Sequence, residues 1–196
     1  MNLPNKLTIS RIILTFVFML LLFSKGVLPK VLALFIFLLA SFTDFLDGFL
    51  AKKRNEITDF GKLMDPIADK ILVLAAFLAF VEMKLIPAWM VVIIIFREVA
   101  ITGLRVLALT KDRVIPADDG GKHKTVSQIF AVFAILLFLI FREAGMKVFQ
   151  FWNGGIEAIY KNAIFILMLV TIILTLISGA AYLVKNREIY INAKAD

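Results

Sequence analysis

The chain contains no cysteine. That excludes disulfides, thiolate metal sites and a cysteine nucleophile, and leaves the redox compartment unmarked. Internal repeats, low-complexity tracts and any stretch resembling a soluble appendage are also missing. The first apolar run is not followed by the small-residue pattern at which a signal peptide is cut. Ser24-Lys25-Gly26 fits that pattern poorly, so the run reads as an uncleaved span. A pair of broken helices in matching halves, the mark of many transporters, is not visible either. What the sequence has in excess is apolar surface. Of its 196 residues 61% are hydrophobic, 19 are Phe, and the mean hydropathy is +0.93. An ordinary soluble domain is roughly 45–50% apolar, so the chain reads as an all-α integral membrane protein, one domain over residues 1–196.

A helix needs about 20 mainly apolar residues to cross a bilayer. Six stretches serve: Leu7–Phe23, Leu28–Ala51, Phe60–Val81, Ile86–Leu109, Thr125–Phe141 and Ile156–Val184. The third is too short if it starts at Asp65, so its start is placed near Thr58 or Asp59 as a cap. That choice requires a kink or loosened turn at Pro66. Residues 1–6 form a short mixed segment suited to the membrane surface. Of the 22 Lys and Arg, 14 fall at one set of helix ends and six at the other, with Arg97 and Arg105 inside a span. The positive-inside rule then puts both termini in the cytoplasm. The net charge of +7 is thereby a topology signal, and no nucleic-acid partner is expected. On the far side Phe149, Phe151 and Trp152 are candidate interfacial anchors.

Four aspartates gather at the cytoplasmic end. Asp44 and Asp47 lie about 60° apart on one helix and are offset by about 4.5 Å; Asp65 and Asp69 lie about 40° apart and 6 Å along the next. The polar turn Lys53–Asp59 makes these helices antiparallel neighbours. One Asp at mid-membrane costs about 2.5–3.5 kcal/mol on insertion scales, less near an edge, and four repel one another. Lys52, Lys53 and Lys70 are too few and too mobile to neutralise them. Hard divalent cations with oxygen ligands, Mg²⁺ or Mn²⁺, fit better, and two such ions about 4 Å apart clamp phosphoryl displacements. Gly48 and Gly61 permit close approach of a ligand, although helix packing also uses such residues.

The run Asp44-Phe-Leu-Asp47-Gly48-Phe-Leu-Ala51-Lys52, continued by Gly61, Asp65 and Asp69, resembles the signature of the CDP-alcohol phosphotransferase family, D-x2-D-G-x2-A-R-x8-G-x3-D-x3-D. Every spacing matches; Lys52 stands where the pattern has Arg, so a planar fork becomes a single ammonium. The resemblance implies transfer of a phosphatidyl group from CDP-diacylglycerol to a small alcohol with release of CMP. It implies that Asp44, Asp47, Asp65 and Asp69 hold two divalent cations and that Asp69 takes the acceptor's proton. It further implies that Asp47, Gly48, Ala51, Lys52 and Gly61 line the cytidine diphosphate site, with Asn5 and Thr8 within reach of it. A homodimer in the bacterial plasma membrane, with the active site at the cytoplasmic face, is the expected setting.

A second polar group comprises Arg97, Glu98 and Arg105 on the fourth span and Lys111, Arg113 and the turn Asp118–Thr125 after it. An Arg within a span is a functional candidate by default; for Arg97 a structural pair with Glu98 or an aspartate competes evenly. Arg105 and Lys124 suit an anionic acceptor, since phosphate needs several donors and Arg offers a matching fork. Arg113, Thr125 and Gln128 are further candidates for that pocket. The runs Phe96-Arg97-Glu98, Gly103-Leu104-Arg105 and Gly121-Lys122-His123-Lys124-Thr125-Val126-Ser127-Gln128 resemble the phosphatidylglycerophosphate synthase branch of the family, as does the opening Leu3–Arg11. The acceptor this implies is sn-glycerol 3-phosphate. His123 reads as a solvated residue of an exposed turn. Two other readings stand beside this one: a sister transferase using inositol phosphate or phosphatidylglycerol, and a divalent-cation transporter.

Overall fold

The computed structural model describes residues 3–54, 59–109, 119–147 and 152–191, with side chains over 9–43, 70–108, 124–146 and 152–190. Among the described residues six long helices follow one another: α1 (Leu3–Phe23), α2 (Val27–Arg54), α3 (Asp59–Glu82), α4 (Ala88–Leu109), α5 (Asp119–Lys147) and α6 (Gly154–Lys185). A single-turn helix, α7 (Arg187–Ile191), follows. There is no strand among the described residues.

The turns explain how the helices reverse. After α1, Ser24 caps Leu20 with both its amide (3.2 Å) and its hydroxyl (2.8 Å), and Gly26 takes φ +114°. Lys30 of α2 then donates to the carbonyls of Leu22 and Ser24, the latter at 2.9 Å. A cation is well placed on the unsatisfied carbonyls of a helix C-terminus. After α3, Leu85 donates to the Phe80 carbonyl and Lys84 to that of Val81, each at 2.9 Å, with Lys84 at φ 57°. This is a Schellman end in which a lysine occupies the left-handed position usually given to glycine. Asn153 caps α6 at its start, its side chain accepting from the Ile156 amide at 2.9 Å.

Packing follows from small residues meeting large ones. α1 packs on α2 and α3, α5 on α2 and α6, and α4 on α6 and α3. Ala33, Ala40, Ala76, Ala79, Ala108 and Ala131 are all buried, as are Phe18, Phe37, Phe77, Phe80 and Phe138. Between helices in lipid there is little hydrophobic driving force, so close approach at small residues carries the association. The outer surface is apolar instead: Phe16, Leu20, Phe96 and Ile166 are exposed. Lys124–Met146 and Gly154–Lys185 are each long and apolar enough to cross a membrane. Such an exterior fits a membrane protein.

Some expectations change. α1 begins at Leu3, so residues 3–6 are its first turn rather than a separate surface segment. α3 starts at Asp59 as expected and runs through Pro66 as one helix. α5 starts at Asp119, so most of the expected turn Asp118–Thr125, His123 included, is helical. Hydropathy marks where apolar side chains stop, whereas backbone hydrogen bonding continues into polar residues, and an acid at a helix N-terminus favours it. Trp152, expected as an interfacial anchor, stacks on Tyr160 at 5.5 Å, lies 5.9 Å from Phe138, and donates to Glu157 at 3.4 Å. Phe149 and Phe151 lie outside the described residues.

Candidate active site

Asp44 and Asp47 sit near the C-terminal end of α2, and Asp65 and Asp69 in the first half of α3, which packs on α2. Only residues 55–58 separate the two helices. The backbone therefore brings both acidic pairs toward one end of the bundle. The side chains of these aspartates, and of Gly48, Ala51, Lys52, Gly61, Asn5 and Thr8, lie outside the described residues, as does Arg113 altogether.

Next to Asp69 in sequence, Lys70 opens the part whose side chains are described. Its ammonium donates to the Thr102 hydroxyl at 2.5 Å and stands 3.4 Å from the Glu98 carboxylate, both on α4. The expectation of a mobile Lys70 beside the aspartates is thus corrected: its charge is tied across to α4. Glu98 also receives Lys124 from α5, in direct ion-paired contact, and Arg97 at 3.4 Å. Glu98 is 5% exposed and Lys124 6%. A buried carboxylate is sustained only by such partners.

Glu98, Thr102 and Arg105 recur at i, i+4 and i+7, which puts them on one stripe of α4. Arg105, exposed near the end of that stripe, donates from Nε to the Tyr182 hydroxyl of α6 at 3.1 Å. Arg97 donates to Ser178 of α6 at 2.9 Å. The two cross-links ascend α4 and α6 together, so these helices run parallel, as alternate helices of an up-and-down chain must. Arg97 lies flat on α6 because residue 179 is Gly; a Cβ there would stand 3.0 Å from Arg97 Cγ. The pairing reading of Arg97 is the one the geometry favours.

Around one carboxylate, then, stand Lys70, Arg97 and Lys124, with Arg105 at the end of the same stripe. Among the described side chains of this face, cations outnumber the one carboxylate. Gln128, one turn beyond Lys124, is buried with its amide nitrogen unpartnered, and so is the Thr175 hydroxyl on α6. Thr125 is exposed. Three participants escaped the sequence reading: Thr102, Ser178 and Tyr182. The i, i+4, i+7 stripe carried a signal for Thr102; nothing local marked the two on α6. Among the described residues no group of three or more His, Cys, Asp or Glu side chains forms a metal cluster.

The family model described as CDP-alcohol phosphatidyltransferase matches residues 1–185. The chain belongs to this family. Within it, the CDP-diacylglycerol--glycerol-3-phosphate 3-phosphatidyltransferase of Bacillus subtilis is 38% identical, over 95% of this chain and 96% of its own length. The enzyme of that name from Rickettsia bellii is 37% identical over 92% and 93%. A probable phosphatidylglycerophosphate synthase of Mycobacterium tuberculosis is 36% identical over 94% and 81%. As a member of the family the chain is a transferase, and similarity extends over both the aspartate-bearing helices and the cationic face.

Proposed function

We propose that this transferase moves the phosphatidyl group of CDP-diacylglycerol to sn-glycerol 3-phosphate, giving phosphatidylglycerophosphate and CMP. The observation that carries the reading is the excess of cations over carboxylates among the described side chains of α3, α4 and α5, beginning at Lys70, one residue after Asp69. A transferase whose acceptor is a neutral alcohol has no use for it; an acceptor bearing a phosphate does. The names borne by relatives at 36–38% identity point the same way.

In this reading Asp44, Asp47, Asp65 and Asp69 hold two divalent cations, Mg²⁺ or Mn²⁺. Four carboxylates supply hard oxygen donors, and Lys70, the nearest cation in sequence, is engaged with Thr102 and Glu98. When bound, the metals supply charge neutralisation at the pyrophosphate. Asp47, Gly48, Ala51, Lys52 and Gly61, with Asn5 and Thr8, receive the cytidine diphosphate. Arg105 and Lys124 hold the acceptor's phosphate, with Arg113, Thr125 and Gln128 completing the pocket. Asp69 accepts the proton of the acceptor hydroxyl as its oxygen bonds to the lipid-bearing phosphorus. The bond from that phosphorus to CMP breaks, and its electron pair leaves with CMP.

The six long helices span the bacterial plasma membrane in this reading, with both termini and the site at the cytoplasmic face and the acyl tails left in the bilayer. The chain works as a homodimer. The deciding assay is CMP release by purified protein from CDP-diacylglycerol across a panel of acceptors. Turnover is expected with sn-glycerol 3-phosphate; turnover confined to inositol phosphate or phosphatidylglycerol overturns the assignment. Asp69→Asn should lose about 10²–10⁴-fold in rate while CDP still binds. The absence of cysteine makes topology testable: of Ser24→Cys and His123→Cys, only the first should react with an impermeant maleimide in intact cells.

A further inference from the structure

We propose that Tyr182 is a positioning residue for the acceptor's phosphate, acting through Arg105. The inference rests on the reading of Arg105 given above. Arg105 meets Tyr182 in two ways: Nε donates to the phenol oxygen at 3.1 Å, and the guanidinium carbon lies 5.5 Å from the ring centroid. The hydrogen bond occupies the nitrogen nearest the chain and leaves both terminal nitrogens, the fork that matches two phosphate oxygens. Among the described residues no other acceptor meets this guanidinium. The ring contact, within the range of a cation–π interaction, restricts its plane as well.

The choice of partner matters chemically. A carboxylate would orient Arg105 too, but it would also cancel the charge that a phosphate needs. A neutral phenol orients without neutralising. Glu98 shows the contrast on the same stripe, where its carboxylate engages three cations. Tyr182 is itself immobilised: it is 3% exposed and packs in a cluster with Ile101, Leu104, Ala108 and Ile189. Asn186 seals the helix end beneath it, its amide nitrogen donating to the Tyr182 carbonyl at 2.8 Å. α7 contributes Ile189 to that cluster, so the end of the chain braces the tyrosine that braces the arginine. An otherwise mobile side chain is thereby set in advance, which lowers the ordering cost of binding.

The test is steady-state kinetics in detergent, with sn-glycerol 3-phosphate and CDP-diacylglycerol varied in turn. Tyr182→Phe keeps the ring and removes the acceptor oxygen. It should raise the KM for sn-glycerol 3-phosphate about three- to ten-fold, the worth of one ordinary hydrogen bond, with kcat and the other KM within about two-fold. Tyr182→Leu removes both contacts and should raise it further, toward the value for Arg105→Ala. In an Arg105→Ala background Tyr182→Phe should add nothing. Equal damage to both KM values, or multiplication of the two effects in the double variant, would assign Tyr182 to the fold alone and overturn the proposal. So would a Tyr182→Phe enzyme with an unchanged acceptor KM while Arg105→Ala raises it. If Arg105→Ala itself leaves that KM unchanged, the reading of Arg105 falls first and this inference with it.

Discussion

Two lysines are buried to the same degree at opposite ends of the bundle, and they do different work. Lys30 is 4% exposed and Lys124 is 6% exposed. Lys30 donates to backbone carbonyls six and eight residues back along its own chain, closing the turn between α1 and α2. Lys124 pairs with Glu98, 26 residues away on another helix, in a group that also draws in Lys70 and Arg97. The first caps a helix end through two neutral backbone carbonyls. The second belongs to a charged assembly in which, among the described side chains, three cations share one carboxylate. Burial of a lysine is therefore not by itself a sign of function. The sign is the unbalanced charge around it, and the comparison can be broken by substitutions at either end.

The largest effect is expected beside the cationic face. Asp44→Ala, Asp47→Ala or Asp65→Ala should abolish turnover, and thorough chelation should do the same until Mg²⁺ or Mn²⁺ is restored. Turnover that survives chelation would exclude the two-metal reading. Next comes Glu98→Gln. Removing one partner of a buried ion pair typically costs about 3–5 kcal/mol because the other charge is left uncompensated. Here three cations lose their common anion, so thermal unfolding in detergent should move well down. Glu98→Gln combined with Lys124→Met should recover much of that loss, since replacing a whole buried pair by packed apolar atoms is often near neutral. The acceptor KM should stay raised in the double variant. If KM recovers along with stability, Lys124 serves the fold and leaves the pocket to Arg105.

The same contrast explains what could be read from the chain before its structure. Helix order and approximate bounds follow from apolar runs, and the start of α3 at Asp59 follows from the length a span needs. The grouping of Asp44, Asp47, Asp65 and Asp69 follows from spacings within two consecutive helices joined by a short link. All of these are local. The cationic face is not: Lys70, Glu98, Lys124, Ser178 and Tyr182 come from four helices, and only packing brings them together. Arg105 was visible as a candidate because an arginine in a span is conspicuous. Tyr182 was not, since an aromatic near a helix end has many ordinary uses. The start of α5 departs from the apolar pattern for a related reason, because Asp119–His123 is polar yet helical.

At the far end the expected effects are smaller and purely structural. Lys30→Met keeps the length of the side chain but removes both hydrogen bonds to the end of α1. A lost hydrogen bond to a charged donor is worth about 1.5–3 kcal/mol, and relief from burying a charge offsets part of it. The net fall in stability should be about 1–2 kcal/mol on that basis. Neither KM should change. A raised acceptor KM in this variant would mean that the two ends are coupled and that the comparison between the lysines fails.

The smallest effect should have the opposite sign. Lys84 holds φ 57° at the end of α3, a conformation that costs an L-residue about 1–2 kcal/mol through contact of its Cβ with the following carbonyl oxygen. Glycine has no such contact, so Lys84→Gly removes the cost while keeping the amide that donates to Val81. Glycine also gains freedom in the unfolded chain, which returns about 0.5–1 kcal/mol. The balance should be a gain of about 0.5 kcal/mol, read as a small rise in the unfolding temperature. Insertion should not suffer. In the proposed topology Lys84 is one of six cations on the far side against 14 on the cytoplasmic side, so its removal strengthens the bias that orients the chain. A drop in stability would show that the ammonium of Lys84 makes a contribution that outweighs its backbone strain. Lys84→Asn then separates the two terms, since asparagine tolerates the left-handed conformation while discarding the charge.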